Sequence, residues 1–162
     1  MQTAFELAGF FAAHGIWCVS DGSPLTPMLA YTAANGERQM LRLAHEDLEQ
    51  AVSAGKQQLA DNEVNANDAA LIFDAVIHVD GESLDSLIVE IRSYFSPHSE
   101  AVLAIPFSPP GEGPFRIHKV KLVEWKGCED FDMEAAFEAF FQGVEGHEQG
   151  ASIWEQSLDE SK

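Results

Sequence analysis

Basic residues are scarce in this sequence. Its 162 residues include only nine Lys and Arg against 27 Asp and Glu, which gives a formal net charge of -18 at pH 7. Proteins that bind nucleic acid neutralise phosphates with Lys and Arg, so a general DNA- or RNA-binding role is disfavoured. The same acidity attracts partners of opposite charge. We therefore expect a basic protein partner and no nucleic acid.

Cysteine and long hydrophobic runs are also scarce. Cys18 and Cys128 stand alone, without a CxxC motif, and favour reduced core thiols over a disulfide framework. No apolar run reaches the roughly 18 residues of a membrane span. The opening stretch MQTAFELAGF lacks the positively charged region of a secretory signal. These absences predict a cytoplasmic protein that does not bind membranes.

The composition predicts a core large enough for one domain. Hydrophobic residues make up 46% of the chain, which is ordinary for a globular protein. We assign residues 1–143 to a single α+β domain. Residues 144–162 are mostly polar, with Ile153 and Trp154 as a central apolar pair, and we expect them to form an acidic, loosely ordered tail.

Helical and strand-like patterns alternate along the chain. Apolar residues recur at helical spacing in 3–13, in 45–62 and from 129 onward. Strand-like stretches lie at 15–22, around the Asn35-Gly36 turn, and at 69–79, 86–95, 101–107 and 115–125. This pattern predicts an α+β fold in the order α-β-β-β-α-β-β-β-β-α. We expect an antiparallel sheet of about six to seven strands, with helices mainly on one face.

The register of the predicted hairpin at 69–95 depends on the parity of its apolar residues. Nine apolar residues of the two arms, among them Leu71, Phe73 and Leu87, occupy odd positions. In an antiparallel hairpin, the residue numbers of any two facing residues add up to the same sum. This sum must be even if the odd-numbered residues of both arms are to lie on one face. An even sum requires a loop of three or five residues instead of a two-residue Asp80-Gly81 turn. Residues 83–95 also fit a helical period, but their β-branched residues favour a strand.

The same register predicts a carboxylate pair. Asp74 and Glu90 become neighbours on the polar face, with Arg92 close by. This arrangement resembles the restriction-endonuclease-like core, although Arg92 stands where that family has Lys. The resemblance implies a metal-dependent hydrolase or nuclease-like enzyme. The loop 108–114, which is rich in Pro and Gly, is the candidate lid of such an enzyme. The alternative is that Arg92 simply pairs with Glu90 or Asp74 on a solvated face.

A metal site is a further possibility on this hairpin. Alternation puts Asp74, His78 and Asp80 on one side of a strand, but three ligands in a row span more than one ion's coordination shell, and no His/Cys spacing supports zinc. Exposed polar residues are the simpler interpretation. We expect no cofactor.

Two charged stretches near the C-terminus are more informative. Arg116, Lys119 and Lys121 concentrate basic residues on one strand, whereas residues 129–162 contain ten acidic residues and one lysine. The two stretches either neutralise each other within the molecule, or the tail covers an anion-binding strand until a partner displaces it.

The last predicted helix has both an acidic and an aromatic side. Glu134, Glu138 and Glu145 are candidate contacts to a basic partner, and Phe137 and Phe141 lie on an aromatic stripe. That stripe either belongs to the core or forms a docking or dimer surface.

The order of elements, the small size and the acidity are similar to those of type III secretion chaperones, which are acidic dimers that wrap extended client segments. Small acidic immunity or inhibitor proteins share the same bulk character. We therefore expect a non-enzymatic protein-binding module, possibly a homodimer. The enzyme described above and a small-molecule sensor with an apolar pocket are the alternatives.

Overall fold

The computed structural model describes residues 2–95, 99–111, 113–127 and 132–161. It contains four helices and seven strands within these ranges. In chain order they are α1 (Gln2–Val19), β1 (Met28–Thr32), β2 (Arg38–Arg42), α2 (Leu48–Asp61), β3 (Asp68–Val79), β4 (Glu82–Ser93), β5 (Ser99–Ser108), β6 (Arg116–Ile117), β7 (Lys121–Lys126), α3 (Met133–Gly146) and α4 (Glu148–Ser157).

The strands form one antiparallel sheet in the order β2-β1-β3-β4-β5-β6, and β7 pairs with the same edge of β5 as β6. The α+β fold class and the antiparallel sheet of six to seven strands are confirmed. Short connections between strands adjacent in sequence make this topology the expected one. None of the helices in the described ranges combines the length and apolar character that a bilayer-spanning segment needs.

The first helix is longer than the sequence pattern predicts. We expected a helix over 3–13 and a strand over 15–22, but α1 continues to Val19. Its last turns are buried because Ile16 and Val19 join the core, and Gly15 lies against the side chains of Leu87 and Ile72. A helix apolar on most sides lies between other elements, and here those elements are the sheet and the C-terminal helices.

The β3–β4 hairpin closes with a two-residue turn, so the predicted three- or five-residue loop is wrong. Val79 pairs with Glu82, while Asp80 and Gly81 have φ of 49° and 82°, as a type I′ turn requires. The first five residues of β3 are all buried. Because both faces of that stretch are covered, its apolar residues do not mark one face, and parity does not fix the register. Residues 82–93 are confirmed as a strand.

The two faces of the sheet carry separate cores. On one face, which we call the α1 face, Ala70, Ile72, Leu87, Val89 and Ile91 pack with α1, and α3 and α4 belong to the same core. On the opposite face, the α2 face, Leu29 and Leu71 pack with residues of α2. Tyr94 secures α2 by donating a hydrogen bond from its hydroxyl to the Leu59 carbonyl at 2.6 Å.

The helices α3 and α4 pack on α1 through glycines. A Cβ atom at Gly9 would collide with the backbone of Phe140, one at Gly143 with the backbone of Glu6, and one at Gly150 with the backbone of Ala13. These contacts correct the expectation of a loosely ordered tail after residue 143. That segment instead completes α3 and forms α4, because three small residues allow close backbone packing.

The strand predicted at 115–125 is divided into β6 and β7. The break contains His118, which is buried and fully hydrogen-bonded. Its Nε2 accepts from the Ser108 hydroxyl at 2.9 Å, and its Nδ1 donates to the Asp159 carbonyl at 3.2 Å. Leu158 forms a parallel bridge with Ile117. The chain beyond α4 is thereby joined to the edge of the sheet.

Candidate functional site

The hairpin carboxylates do not form a pair. Asp74 lies opposite Leu87, whereas Glu90 lies opposite Leu71. Since alternate residues of a strand point to opposite faces, Asp74 is on the α1 face and Glu90 is on the α2 face. The prediction that these two carboxylates are neighbours is therefore wrong. The two-residue turn makes the numbers of facing residues add up to an odd sum, so an even-numbered residue of β3 shares its face with odd-numbered residues of β4.

Asp74 is a half-buried carboxylate that accepts one long hydrogen bond. Its Oδ2 accepts a hydrogen bond from the Leu25 amide at 3.4 Å. Burial raises the pKa of Asp74, and the nearby Asp85 carboxylate raises it further. The group thus holds its proton more readily than an exposed aspartate, which is unfavourable for a metal ligand.

Glu90 and Arg92 form an ion-pair network on the α2 face. Glu90 is 8% exposed, and its carboxylate lies 3.3 Å from Lys56 Nζ and 3.7 Å from Arg92 Nη2. The Arg92 Nε is also 3.7 Å from Glu100. Arg92 therefore pairs with Glu90, as one of the two interpretations predicted, but the acidic partner is buried instead of solvated. Charges neutralised within the fold in this way stabilise the packing of α2.

The three possible metal ligands on β3 are dispersed. The His78 Nδ1 is 3.1 Å from the Ser83 hydroxyl, Asp80 lies in the turn, and Asp74 contacts Leu25. Within the ranges that the structure describes, no group of three His, Cys, Asp or Glu side chains could hold a metal ion. The lid predicted at 108–114 joins β5 to β6, and residue 112 lies outside the described residues.

A groove lies between α3, α4 and the β6–β7 break. It has a volume of about 660 Å³. We call it the α3–α4 groove. It is lined by His118, Lys119, Val120, Phe137, Phe141, Val144, Glu145, Ala151, Trp154, Glu155, Leu158 and Glu160. One residue, His147, separates α3 from α4, and its extended backbone interrupts the helical path between them.

The floor of the groove is aromatic. Phe141 and Trp154 meet edge to face with ring centroids 5.9 Å apart, and Phe140 packs under both rings. Phe140 is fully buried, Phe137 is partly buried and Phe141 is 38% exposed. One edge of the aromatic stripe of α3 therefore belongs to the core, and the other edge, at Phe141, faces solvent.

Carboxylates surround this apolar floor. Of the predicted contacts, Glu145 lines the groove itself. Glu134 and Glu138 line a shallower cavity of about 440 Å³ that shares Phe137, Phe141 and Glu145 with it. Sequence reasoning missed Glu155 and Glu160, which line the groove from the side of α4. All five are exposed, and within the described part of the chain none of them takes part in an ion pair.

The three predicted basic residues separate in the structure. Lys119 lines the groove, whereas Arg116 lies 3.9 Å from Asp159 and Lys121 lies opposite Ala104 in the sheet. The Arg116–Asp159 contact fits the interpretation that the two charged stretches neutralise each other, but it involves one carboxylate only. Sequence reasoning missed the wall of the groove that α4 forms. The residue that could have revealed it is Trp154, a large apolar residue in a mostly polar segment.

No protein-family model, curated protein or solved structure matches this chain. The assignment of a function therefore depends on the geometry and charge of the chain's own residues.

Proposed function

We propose that this protein is a non-enzymatic binding module whose α3–α4 groove receives a basic segment of a protein partner. The observation that carries the proposal is the coincidence of two features at one place. An apolar floor, in which Phe141 is 38% exposed and packs on the buried Trp154, is lined by carboxylates. Apolar anchors in a groove supply affinity, and surrounding charges select the partner and speed its approach.

The charges of the groove favour a basic occupant over an acidic or neutral one. Lys119 is the one lysine or arginine that lines either cavity, against five glutamates. An acidic segment would meet repulsion from these glutamates and from the net charge of the whole chain. A segment with Lys or Arg beside its apolar residues would replace that repulsion with attraction.

The walls of the groove favour a helical occupant. Residues of two helices form them, and on α3 the contacts recur at helical spacing in Phe137, Phe141 and Val144. An amphipathic helix docks in such a groove through apolar residues at similar spacing. The 14 residues of α3 span about 21 Å, which accommodates a partner helix of about four turns. We therefore propose an amphipathic helix with a basic flank.

A homodimer stays part of the proposal with a different interface. Two copies meeting groove to groove would bring like-charged carboxylates together, so a dimer would use another surface. Cys18 is a free cysteine that is only partly buried, and a reducing cytoplasm would keep its thiol intact.

The enzyme alternative loses its motivation because Asp74 and Glu90 lie on opposite faces of the sheet. The sensor alternative has one supporting feature, which is that the groove volume falls in the range typical of small-ligand sites. Its exposed ring of unpaired carboxylates fits a cationic peptide better than a small apolar ligand.

The test uses three fluorescein-labelled model peptides. One is an amphipathic Leu/Lys helix, the second has Glu in place of each Lys, and the third has the first composition in an order without an apolar face. We expect the first peptide alone to bind, as measured by fluorescence anisotropy at about 50 mM salt, and to weaken at least tenfold at about 500 mM. Equal binding of the first and third peptides would mean charge attraction without a groove, and would overturn the proposal.

Matched variants locate the binding surface. We expect Glu138→Lys with Glu145→Lys to weaken the first peptide by about tenfold, and Phe141→Ala to weaken it at unchanged charge. The control is Glu37→Lys, which makes the same type of charge change on the β1–β2 turn, at the opposite edge of the sheet. If the control and the groove variants have the same effect, the peptide does not occupy the groove.

A further inference from the structure

Two histidines meet where α4 begins. His14 of α1 and His147 have ring nitrogens 3.1 Å apart, His14 Nδ1 to His147 Nε2. Phe10 packs on the His147 ring and Trp17 packs on both rings. His147 is 8% exposed and His14 is partly buried. These rings lie at the contact of α1 with α4, beside the position where Gly150 approaches Ala13.

The hydrogen bonds fix the proton positions on both rings. The Gly150 amide donates to His147 Nδ1 at 3.0 Å, so neutral His147 carries its proton on Nε2. That proton is donated to His14 Nδ1, and His14 therefore carries its own proton on Nε2. This Nε2 is buried and has no hydrogen-bond partner among the described residues.

An added proton would have to bind a ring nitrogen that already accepts a hydrogen bond. On His147 it would occupy Nδ1 and face the Gly150 N–H, whereas on His14 it would occupy Nδ1 and face the N–H of His147. In either case two donors would point at each other, and the chain would have to separate the rings or release the amide of Gly150. Protonation is thereby coupled to the position of α4.

His147 is an unusual residue for this position. It is the N-cap of α4, a role that Asn, Asp, Ser and Thr normally perform. None of those side chains changes its ability to accept a hydrogen bond near neutral pH, whereas a histidine does. The start of α4 therefore depends on a group whose pKa in an exposed position lies near neutrality.

We propose that His14 and His147 form an acid-sensitive latch that holds α4 against α1 and so maintains the α3–α4 groove. Trp154, Glu155 and Leu158 line the groove from α4 and the chain after it, and movement of α4 would remove that wall. The functional meaning of the latch rests on the proposed role of the groove. The latch itself is a property of the free protein.

The surroundings of the pair disfavour the protonated form of both histidines. Burial lowers the pKa of both histidines, and for His14 the mutual influence of His147 and the Arg42 guanidinium of β2 lower it further. Arg38 of β2 stacks on Phe10 at 5.4 Å and pairs with Glu6 of α1. Cys18 lies one turn after His14 on α1, and Glu145 and Glu148 flank His147 at exposed positions.

The sign of the pH dependence follows from these shifts. A histidine whose pKa is lower in the folded state stabilises that state above its ordinary pKa, and this contribution is lost as the pH falls. From about pH 7.5 to about pH 5.5, opening of α4 should increase by up to tenfold for each histidine that stays neutral while closed and has an ordinary pKa when open.

The experiment measures the free protein. Long-range ¹H–¹⁵N NMR spectra of the imidazoles should show both rings as Nε2–H tautomers at pH 7.5. Amide hydrogen exchange, corrected for its intrinsic pH dependence, should then accelerate in 148–157 at pH 5.5. Different tautomers, or protonation of both rings without faster exchange, would overturn the latch whether or not any peptide binds to the groove.

A variant separates this pair from the other histidines. His147→Asn retains an N-cap acceptor but does not titrate, so its α4 should lose the acid response while remaining folded. His78→Asn at the exposed hairpin is the matched control and should keep the wild-type response. An undiminished response in His147→Asn would mean that the acid sensitivity arises elsewhere in the protein, and would contradict the proposal.

Discussion

The β3–β4 hairpin and the α3–α4 groove both combine carboxylates with apolar side chains, but they dispose of the negative charge differently. In the hairpin, Glu90 is buried and lies between Lys56 and Arg92, while Asp74 lies on the other face, near the carboxylate of Asp85. In the groove, the glutamates are exposed and lie around an aromatic floor that reaches solvent at Phe141. The first arrangement neutralises charge inside the molecule, and the second leaves it available to a partner.

The difference comes from the secondary structure that carries the residues. A strand sends alternate side chains to opposite faces, so one step of register decides whether two carboxylates meet. A helix keeps residues three, four and seven apart on one side. Acidic residues spaced in that way on α3 remain together in any packing of the helix. The comparison predicts that stability is sensitive to changes in the hairpin and binding is sensitive to changes in the groove.

We expect the largest effect on stability from a substitution that breaks the contact between α3 and α1, on which the groove depends. In Gly143→Ala, the new Cβ would collide with the α1 backbone at Glu6 and Phe10, so α3 must separate from α1. We expect a loss of about 3 kcal/mol in the free energy of unfolding, measured by urea denaturation. Gly146→Ala is the control, because its Cβ would make an ordinary contact of 3.5 Å with the Phe10 ring. Equal losses in both variants would argue against backbone contact between α1 and α3.

A smaller effect tests the register of the hairpin. Gly81 has a φ of 82°, a conformation that costs an L-residue about 1–2 kcal/mol. Gly81→Ala should therefore reduce the free energy of unfolding by that amount, whereas Asp80→Asn should not reduce it because Asn suits a type I′ turn. A neutral Gly81→Ala would indicate a longer loop and an even sum for the numbers of facing residues, which would return Asp74 and Glu90 to one face.

The smallest expected effect compares the two kinds of carboxylate directly. Glu90→Gln removes the charge that Lys56 and Arg92 share, and we expect a loss of about 1 kcal/mol in the free energy of unfolding. Glu145→Gln should leave stability unchanged, because no ion pair among the described residues includes it. Peptide binding should respond in the opposite order, with Glu145→Gln weakening it and Glu90→Gln having no effect. If Glu145→Gln reduced stability and Glu90→Gln weakened peptide binding, the groove would be the structural region and the hairpin the binding region.

The sequence was sufficient for the fold class and for one wall of the groove. Turn residues and alternating apolar positions predict the antiparallel sheet, and helical spacing places Glu138, Glu145, Phe137 and Phe141 on one helix without knowledge of its packing. The register was not predictable from parity, because Ala70, Leu71 and Ile72 are buried on alternate faces that both have a cover. Only the packing of α2 on the second face reveals this.

The second wall of the groove was missed for a related reason. Gly143, Gly146 and Gly150 suggest the end of a helix when they are considered individually, since glycine has a low helix propensity. In the structure Gly143 and Gly150 instead allow the backbones of α3 and α4 to approach α1. Close tertiary packing outweighs the local preference, and a single sequence does not show which glycines have such a neighbour.

The glycine contacts also constrain when this protein can finish folding. They join the first helix of the chain to the last two, and the His14–His147 contact spans 133 residues of sequence. On the ribosome, α1 emerges long before α3 and α4 exist, so its apolar outer side stays uncovered while the sheet is synthesised. Contacts this distant form late and slowly. Completion of the native state therefore has to wait for the synthesis of α3 and α4, and α1 is the segment that a folding chaperone would have to shield until then.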